Sequence, residues 1–305
     1  MDFVMKANDP GLISYLSAVF RAQVKVLSVE MLEKSTRTAP IKVVVEINGR
    51  TISLAFRFGD EDLEHEYRVL RALEQVDLPT PRAYSLELSG EVLGERFMVS
   101  DYIEGESLLR HLMAGESWAE DLFLYSAFRL QAIEREDLGD LGQELDEGES
   151  ALDILERTWA YFSGQNPNPL AEQAYHLLKN NLPEFPPLRF SNGDMYVANF
   201  IVQDRTLAGV IDFENAGFSD PLYEFLLTSF CHPELRKRGL EERFCRMLGL
   251  TEDVLTWYYG LELFEVWSLV LKYSEPFEGY NEINLPVYLE AWLEKTRTGW
   301  VGRGD

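Results

Sequence analysis

Asn48 and Gly49 sit between two runs rich in β-branched residues, Ile41–Ile47 and 51–58. A two-residue hairpin needs positive φ at both central residues, which Asn and Gly tolerate, so the front of the chain is expected to carry an antiparallel hairpin. Residues 24–34 form a third β-rich run, preceded by a short helical pattern at 11–22. Asp60 can cap a helix running to about Val76, stopped by Leu78-Pro79-Thr80-Pro81. Strands are expected again at 83–88 and 96–102. Beyond residue 107 the pattern is helical (107–113, 118–136, 151–163, 169–180 and most of the C-terminus), broken by a strand pair at 200–203 and 207–213. The expectation is an α+β chain with a smaller β-rich lobe and a larger helical lobe carrying one embedded hairpin.

Charge narrows the partners. With 28 Lys and Arg against 52 Asp and Glu, a net −24, there is no basic surface to track phosphates, and nucleic acid is not expected as a partner. The same balance disfavours anionic membranes and suits cationic ligands, or solubility alone. At 305 residues the chain has room for two modules of roughly 150 residues each. Cys231 and Cys245 are the only cysteines, too few for a disulfide framework and lacking metal-ligand spacing. The first ten residues lack the basic-then-apolar order of a secretory signal. The most apolar stretch, 255–271, is interrupted by Glu262 and Glu265, so no membrane span is expected. A cytoplasmic location follows as the expectation. The histidines are scattered, and no His-based metal site is expected.

One helix carries an anomaly. In the segment after Asp60, Leu63, Tyr67, Leu70 and Leu73 define the apolar side, and Glu66 falls on or beside it. A carboxylate there is costly unless a cation meets it. Arg57 is the only basic residue in the preceding strand run, so the pair reads as an ion clamp. The competing reading is a solvated Glu at the edge of an amphipathic helix, and these two residues alone do not separate the two.

The chemistry concentrates between residues 190 and 214. Asp194 is followed five positions on by Asn199, which enters a hairpin whose second strand is expected to end at Asp212. Short hairpins bring strand ends together, so three oxygen-bearing side chains can converge. Asn199 offers a neutral carbonyl and Asp212 a carboxylate, hard oxygen ligands that suit Mg²⁺. Asp194 is placed to accept a proton from a hydroxyl. This division of labour suits phosphoryl transfer, where positioning and charge neutralisation do most of the catalysis. Taken singly, these residues also fit solvated turn caps. The order of parts favours chemistry: strand cation, helix Glu, Asp and Asn, strand, Asp.

Asn192-Gly193-Asp194-Met195-Tyr196-Val197-Ala198-Asn199 resembles the His-Gly-Asp-x4-Asn catalytic loop of the aminoglycoside phosphotransferase and choline kinase-like family of small-molecule kinases. Residues 211–221 resemble that family's Ile-Asp-Trp/Phe-Glu-x-Ala-Gly-x-Gly-Asp-Pro run, 66–73 its small-lobe helix and 97–105 the linker between lobes. The resemblance implies a protein-kinase-like two-lobed fold, with a nucleotide-binding lobe at 1–103 and a helical catalytic and acceptor-binding lobe at 104–305. It implies Asp194 as catalytic base and Asn199 with Asp212 as Mg²⁺ ligands. Arg57 would take the place of the phosphate-contacting lysine, oriented by Glu66. Adenine would meet backbone groups of Asp101 and Ile103, with Ser100 behind the ring, and Asp220 would brace the catalytic loop. The cofactors implied are ATP, with GTP left open as donor, and Mg²⁺. The implied partner is a small-molecule hydroxyl acceptor (aminoglycoside-like, an amino alcohol or another metabolite), and the acidic chain favours a cationic one.

The chain departs from that pattern in places. Asn192 stands for His, and Arg57 for Lys, bulkier and forked but still charged. The phosphate-covering turn, 34–40, has no glycine, so hydroxyls or Arg37 would have to replace a backbone cradle. Glu214 stands where protein kinases carry the Gly of Asp-Phe-Gly, which disfavours a protein kinase. A second reading is therefore a catalytically weak nucleotide-binding module that regulates a partner. A metal-dependent hydrolase would leave Arg57, Glu66 and the linker unexplained. Residues 255–273 interleave Trp257, Tyr258, Tyr259, Phe264, Trp267 and Tyr273 with Glu262 and Glu265. That mixture could hold an ammonium group, but it fits a helix with one core face better.

Overall fold

The structure, a computed structural model, describes residues 5–31, 40–59, 63–145 and 147–300, with side chains to 297. Asp60 as a helix cap, the end of the first strand run at Lys34 and the glycine-free turn at 34–39 lie outside the described residues, as do the first four residues. The chain divides into two compact units, Met1–Leu145 with Asn192–Ala216, and Asp146–Ser191 with Gly217–Asp305.

The first unit begins with α1 (Pro10–Phe20), whose N-terminus is capped by the Asp9 carboxylate. Next come β1 (Val24–Met31), β2 (Ile41–Ile47), β3 (Arg50–Phe58), α2 (Leu63–Leu73), β4 (Ala83–Glu87) and β5 (Phe97–Asp101). The strands form one antiparallel sheet in the order β1-β2-β3-β5-β4. Asn48 (φ 52°) and Gly49 (φ 77°) make the turn between β2 and β3, where Ile47 pairs with Arg50. Two positive φ values in a two-residue loop match the right-handed strand twist, as the sequence predicts. Strand alternation then sorts the faces. Val43, Val45, Leu54, Phe56, Phe58, Phe97 and Val99 pack with Leu12 and Leu16 of α1 into one core. The intervening residues, Lys42, Val44, Ala55, Arg57, Met98 and Ser100, fall on the other face. The register sets Lys42 opposite Ala55, and Ala55 opposite Ser100.

The same unit continues through β6 (Glu106–Ser107), α3 (Leu108–Met113), α4 (Ser117–Gln131) and α5 (Asp140–Glu144), and closes on the hairpin of β8 (Phe200–Gln203) and β9 (Thr206–Val210). Here β6 pairs with β8, Glu106 opposite Val202, so the linker after β5 is stitched to the hairpin. Gly105 permits it: its φ is 145°, and a Cβ there would lie 2.4 Å from the Val202 carbonyl oxygen. The sequence pattern predicts a second hairpin strand running to Phe213, but β9 ends at Val210. The Ile211 N–H is taken by the Asn199 carbonyl at 2.9 Å, and Asp212 then turns left-handed at φ 65°, which stops a strand.

The second unit holds α6 (Ala151–Gln165), α7 (Pro169–Asn180), β7 (Arg189–Ser191), β10 (Gly217–Ser219), α8 (Pro221–Cys231), α9 (Leu240–Met247), α10 (Val254–Tyr273) and α11 (Asn284–Trp300). Strands β7 and β10 pair, Phe190 opposite Phe218. On α10, Trp257, Tyr258, Phe264 and Trp267 are buried core residues, Tyr259 is half-buried and Tyr273 is exposed. Among the described residues no helix is long and apolar enough to cross a membrane.

Candidate active site

Arg57 leaves β3 on the face away from the α1 core, and Glu66 sits one turn into α2. They meet at 2.6 Å, Nη1 to Oε2, and Glu66 is only 5% exposed. The clamp reading therefore holds, and the solvated-Glu reading does not. The other Glu66 oxygen accepts the Phe213 N–H at 3.4 Å. Burial raises the Glu66 carboxyl above its ordinary range, opposed by the Arg57 charge and aided by that of Asp212. Arg57 reaches further: Nη1 lies 3.4 Å from Asp212 Oδ1, and Nη2 pairs with Glu214 Oε2. His65, which the helix pattern would send to solvent, is instead half-buried and bonds the Ala216 carbonyl at 2.8 Å.

The loop at 192–199 is built around one glycine. Gly193 has φ 79°, and a Cβ there would lie 2.1 Å from the Asn215 carbonyl oxygen. Beside it Asn192 is fully buried, and its Nδ2 donates to the carbonyls of Asp194 (3.0 Å), Ile211 (3.2 Å) and Asp212 (3.2 Å). A single amide thus ties the Asp194 loop to the Asp212 turn, which is why Asn can stand where the resemblance has His. Asn199 Nδ2 donates to Asp194 Oδ2 at 3.0 Å and to the Asp194 carbonyl at 2.9 Å, leaving its Oδ1 as an acceptor. Burial raises the Asp194 carboxyl, with the Asn199 bond opposing and the Asp212 charge adding. Arg57, Glu66, Asp194, Asn199 and Asp212 are thus linked, directly or through Asn192, into one cluster.

The linker residues stand apart from that cluster. Ser100 is buried on the same sheet face as Arg57. The Asp101 carboxylate is engaged by the Tyr84 hydroxyl (2.7 Å) and the Arg82 N–H (3.1 Å), and its own N–H donates to the Arg82 carbonyl at 3.0 Å. Among the described residues neither the N–H nor the C=O of Ile103 has a hydrogen-bond partner, so this peptide can serve a ligand. Lys42 shares the face and was missed by sequence reasoning. Its Nζ pairs with linker Glu104 at 2.6 Å and lies 4.2 Å from the Tyr102 ring centroid. The signal available was its place in the alternation of β2.

Two other expectations resolve within the second unit. Asp220 accepts the Leu222 and Tyr223 N–H groups at 3.0 Å each and the Tyr258 hydroxyl at 2.7 Å, so it caps α8 and anchors α10 rather than bonding to the 192–199 loop that the resemblance has it brace. Burial pushes its carboxyl up to about 6. Glu262 pairs with Arg236 at 2.9 Å, and Glu265 with Arg157 at 2.5 Å and the Tyr223 hydroxyl. Both α10 carboxylates are therefore engaged internally, which favours the core-helix reading over an ammonium pocket.

Residues 42–258 match the family model described as the phosphotransferase enzyme family. The chain belongs to that family. Solved structures show the fold of this phosphotransferase-family chain to be α+β and protein-kinase-like. A candidate aminoglycoside phosphotransferase from Ralstonia eutropha superposes with a TM-score of 0.65 at 17% identity, covering 93% of this chain and 98% of that one. A thermostable mutant of aminoglycoside phosphotransferase APH(4)-Ia, in ternary complex with AMP-PNP and hygromycin B, gives 0.63 at 16% identity, covering 95% and 99%. The GDP and kanamycin complex of APH(2'')-IIIa gives 0.58 at 17%, covering 94% and 99%.

Proposed function

We propose that this chain is an ATP- and Mg²⁺-dependent phosphotransferase acting on a hydroxyl of a small, preferably cationic, molecule. The observation that carries the reading is the single bonded cluster of Arg57, Glu66, Asp194, Asn199 and Asp212. Asp194, held by Asn199, accepts the proton of the acceptor hydroxyl. Its burial raises its basicity above that of a solvated Asp. Arg57, steadied by Glu66, contributes the positive charge toward the transferring phosphates. The base of the nucleotide meets the free peptide of Ile103 and the backbone of Asp101, with Ser100 behind it. Asn199 Oδ1 and the Asp212 carboxylate are hard oxygen donors that fit Mg²⁺ and would hold it. When bound, that ion would neutralise phosphate charge. Nucleotide binding by relatives crystallised with AMP-PNP and with GDP supports a nucleoside triphosphate donor and keeps both ATP and GTP in the screen. Residues 1–103 are proposed as the nucleotide-binding part and 104–305 as the catalytic and acceptor-binding part, in a cytoplasmic enzyme.

The test is nucleotide consumption with ATP and GTP over aminoglycosides, amino alcohols, hydroxy amino acids and sugars. Asp194→Ala should abolish turnover, a loss of at least about 10²-fold, while nucleotide binding changes little. Unchanged turnover would remove Asp194 as the base. Binding without turnover of any acceptor would favour the regulatory module instead.

A further inference from the structure

The linker that follows β5 is tied down on both sides of Ile103. On one side the Tyr102 N–H donates to the Ser53 carbonyl at 3.0 Å. On the other, the Glu104 carboxylate accepts from the Ser53 hydroxyl at 2.8 Å and meets Lys42 Nζ at 2.6 Å. In the sheet order β3 lies between β2, which carries Lys42, and β5, which leads into the linker, so the ion pair spans β3. The face it crosses carries small side chains, because Lys42 stands opposite Ala55 and Ala55 opposite Ser100. The Lys42 ammonium also lies 4.2 Å from the centroid of the Tyr102 ring, so it holds the linker at two successive side chains on that face. The Ile103 side chain has a seat of its own: a Cβ placed on Gly209 would lie 3.1 Å from it. Between these ties the Ile103 peptide has no hydrogen-bond partner among the described residues. A peptide fixed on both sides with both of its polar groups unused is ordered before a ligand arrives, which strengthens binding. The pair itself adds little to global stability, because the Glu104 side chain is 53% exposed.

We propose that Lys42 and Glu104 are positioning residues for the nucleotide base: their ion pair across β3 holds the Ile103 peptide in place for hydrogen bonds to the base. Neither side chain is asked to touch the phosphates or the acceptor. With the pair broken, Ser53 alone holds Glu104, and the linker must be ordered at the moment of binding. The inference rests on the phosphotransferase reading above and adds two residues to its base-binding end.

The experiment is a double-mutant cycle on the full chain: wild type, Lys42→Met, Glu104→Ala and the double variant, with Lys42→Arg as the conservative control. Each is titrated calorimetrically with Mg²⁺ and the non-hydrolysable analogues of ATP and GTP, and followed by thermal unfolding. For whichever analogue the wild type binds more tightly, Lys42→Met and Glu104→Ala should each lose about fivefold in affinity, the scale of one further residue ordered at binding. The double variant should lose no more than Glu104→Ala alone, because both changes break one bond. Lys42→Arg keeps the charge and the donors and should recover nearly all of the loss. Unfolding should stay a single transition close to that of the wild type. A pair that merely decorates the surface would leave affinity unmoved in every variant. If Lys42→Met fails to fold, Glu104→Ala at its half-exposed position decides by the same loss. Unchanged affinity in Glu104→Ala, additive losses in the double variant, or a Lys42→Arg as weak as Lys42→Met overturns the proposal alone. Absence of binding of both analogues by the wild type overturns the phosphotransferase reading and this proposal with it.

Discussion

Replacing Gly193 by alanine tests whether the loop geometry matters to chemistry. The new Cβ would lie 2.1 Å from the Asn215 carbonyl oxygen, whereas real Cβ contacts are essentially never below 3.0 Å. The loop or the 213–216 turn must therefore move by about 0.9 Å at least. Gly193 also has φ 79°, a conformation that costs an L-residue about 1–2 kcal/mol. Adding roughly 1–3 kcal/mol for overpacking, the expected destabilisation is about 2–5 kcal/mol, read as a fall in the urea midpoint with the slope unchanged. The catalytic consequence is larger than the loss of stability suggests. Asp194 is the next residue, and misplacing a reacting group by about 1 Å can cost about 10²-fold. Turnover below the variant's unfolding temperature should drop by that order, while AMP-PNP affinity moves much less. A variant with wild-type midpoint and wild-type kcat would falsify the placement of this loop and the reasoning built on it.

Asp220→Ala should lower stability by about 3 kcal/mol: it removes the cap of α8, worth about 1, and strands the buried Tyr258 hydroxyl, worth about 1–3. Thermal unfolding checks it, and a shift within error would mean that neither bond contributes. The Asp194 carboxyl is raised by burial, and a base must be deprotonated to act. The kcat/KM profile should therefore fall with decreasing pH through a limb above the ordinary Asp value of about 3.9, and a limb at or below that value would contradict it.

The clearest elements in the sequence were those with strong local chemistry. Asn48-Gly49 named its own turn, and Glu66 on an apolar helix face pointed to Arg57. Asp194, Asn199 and Asp212 were legible as a group because hairpin spacing brings their backbones together. Strand β6 was not legible, because two residues carry no periodicity, and its pairing depends on a partner almost a hundred positions away. The early end of β9 was hidden because Ile211, Asp212 and Phe213 fit a strand locally, and the left-handed backbone at Asp212 decides otherwise. The core-helix reading of 255–273 was legible, but the partners of Glu262 and Glu265, Arg236 and Arg157, were not, because they lie far off in sequence. Glu214 was visible as part of a motif, but its contact with Arg57 is a property of the folded chain.

The division of the chain into interleaved units also has a temporal consequence. The chain passes from one unit to the other after Leu145, after Ser191 and after Ala216. During synthesis Arg57 and Glu66 emerge together and can pair early. Asp212 and Glu214 follow about 150 residues later, some 7–30 seconds at roughly 5–20 residues per second. Until then the nascent sheet presents a cation with one partner, and the hairpin strand that β6 will join does not yet exist. The proposed catalytic cluster is thus among the later parts of its own unit to be assembled, and cutting the gene after residue 145 would yield a polypeptide lacking every oxygen proposed for base and metal.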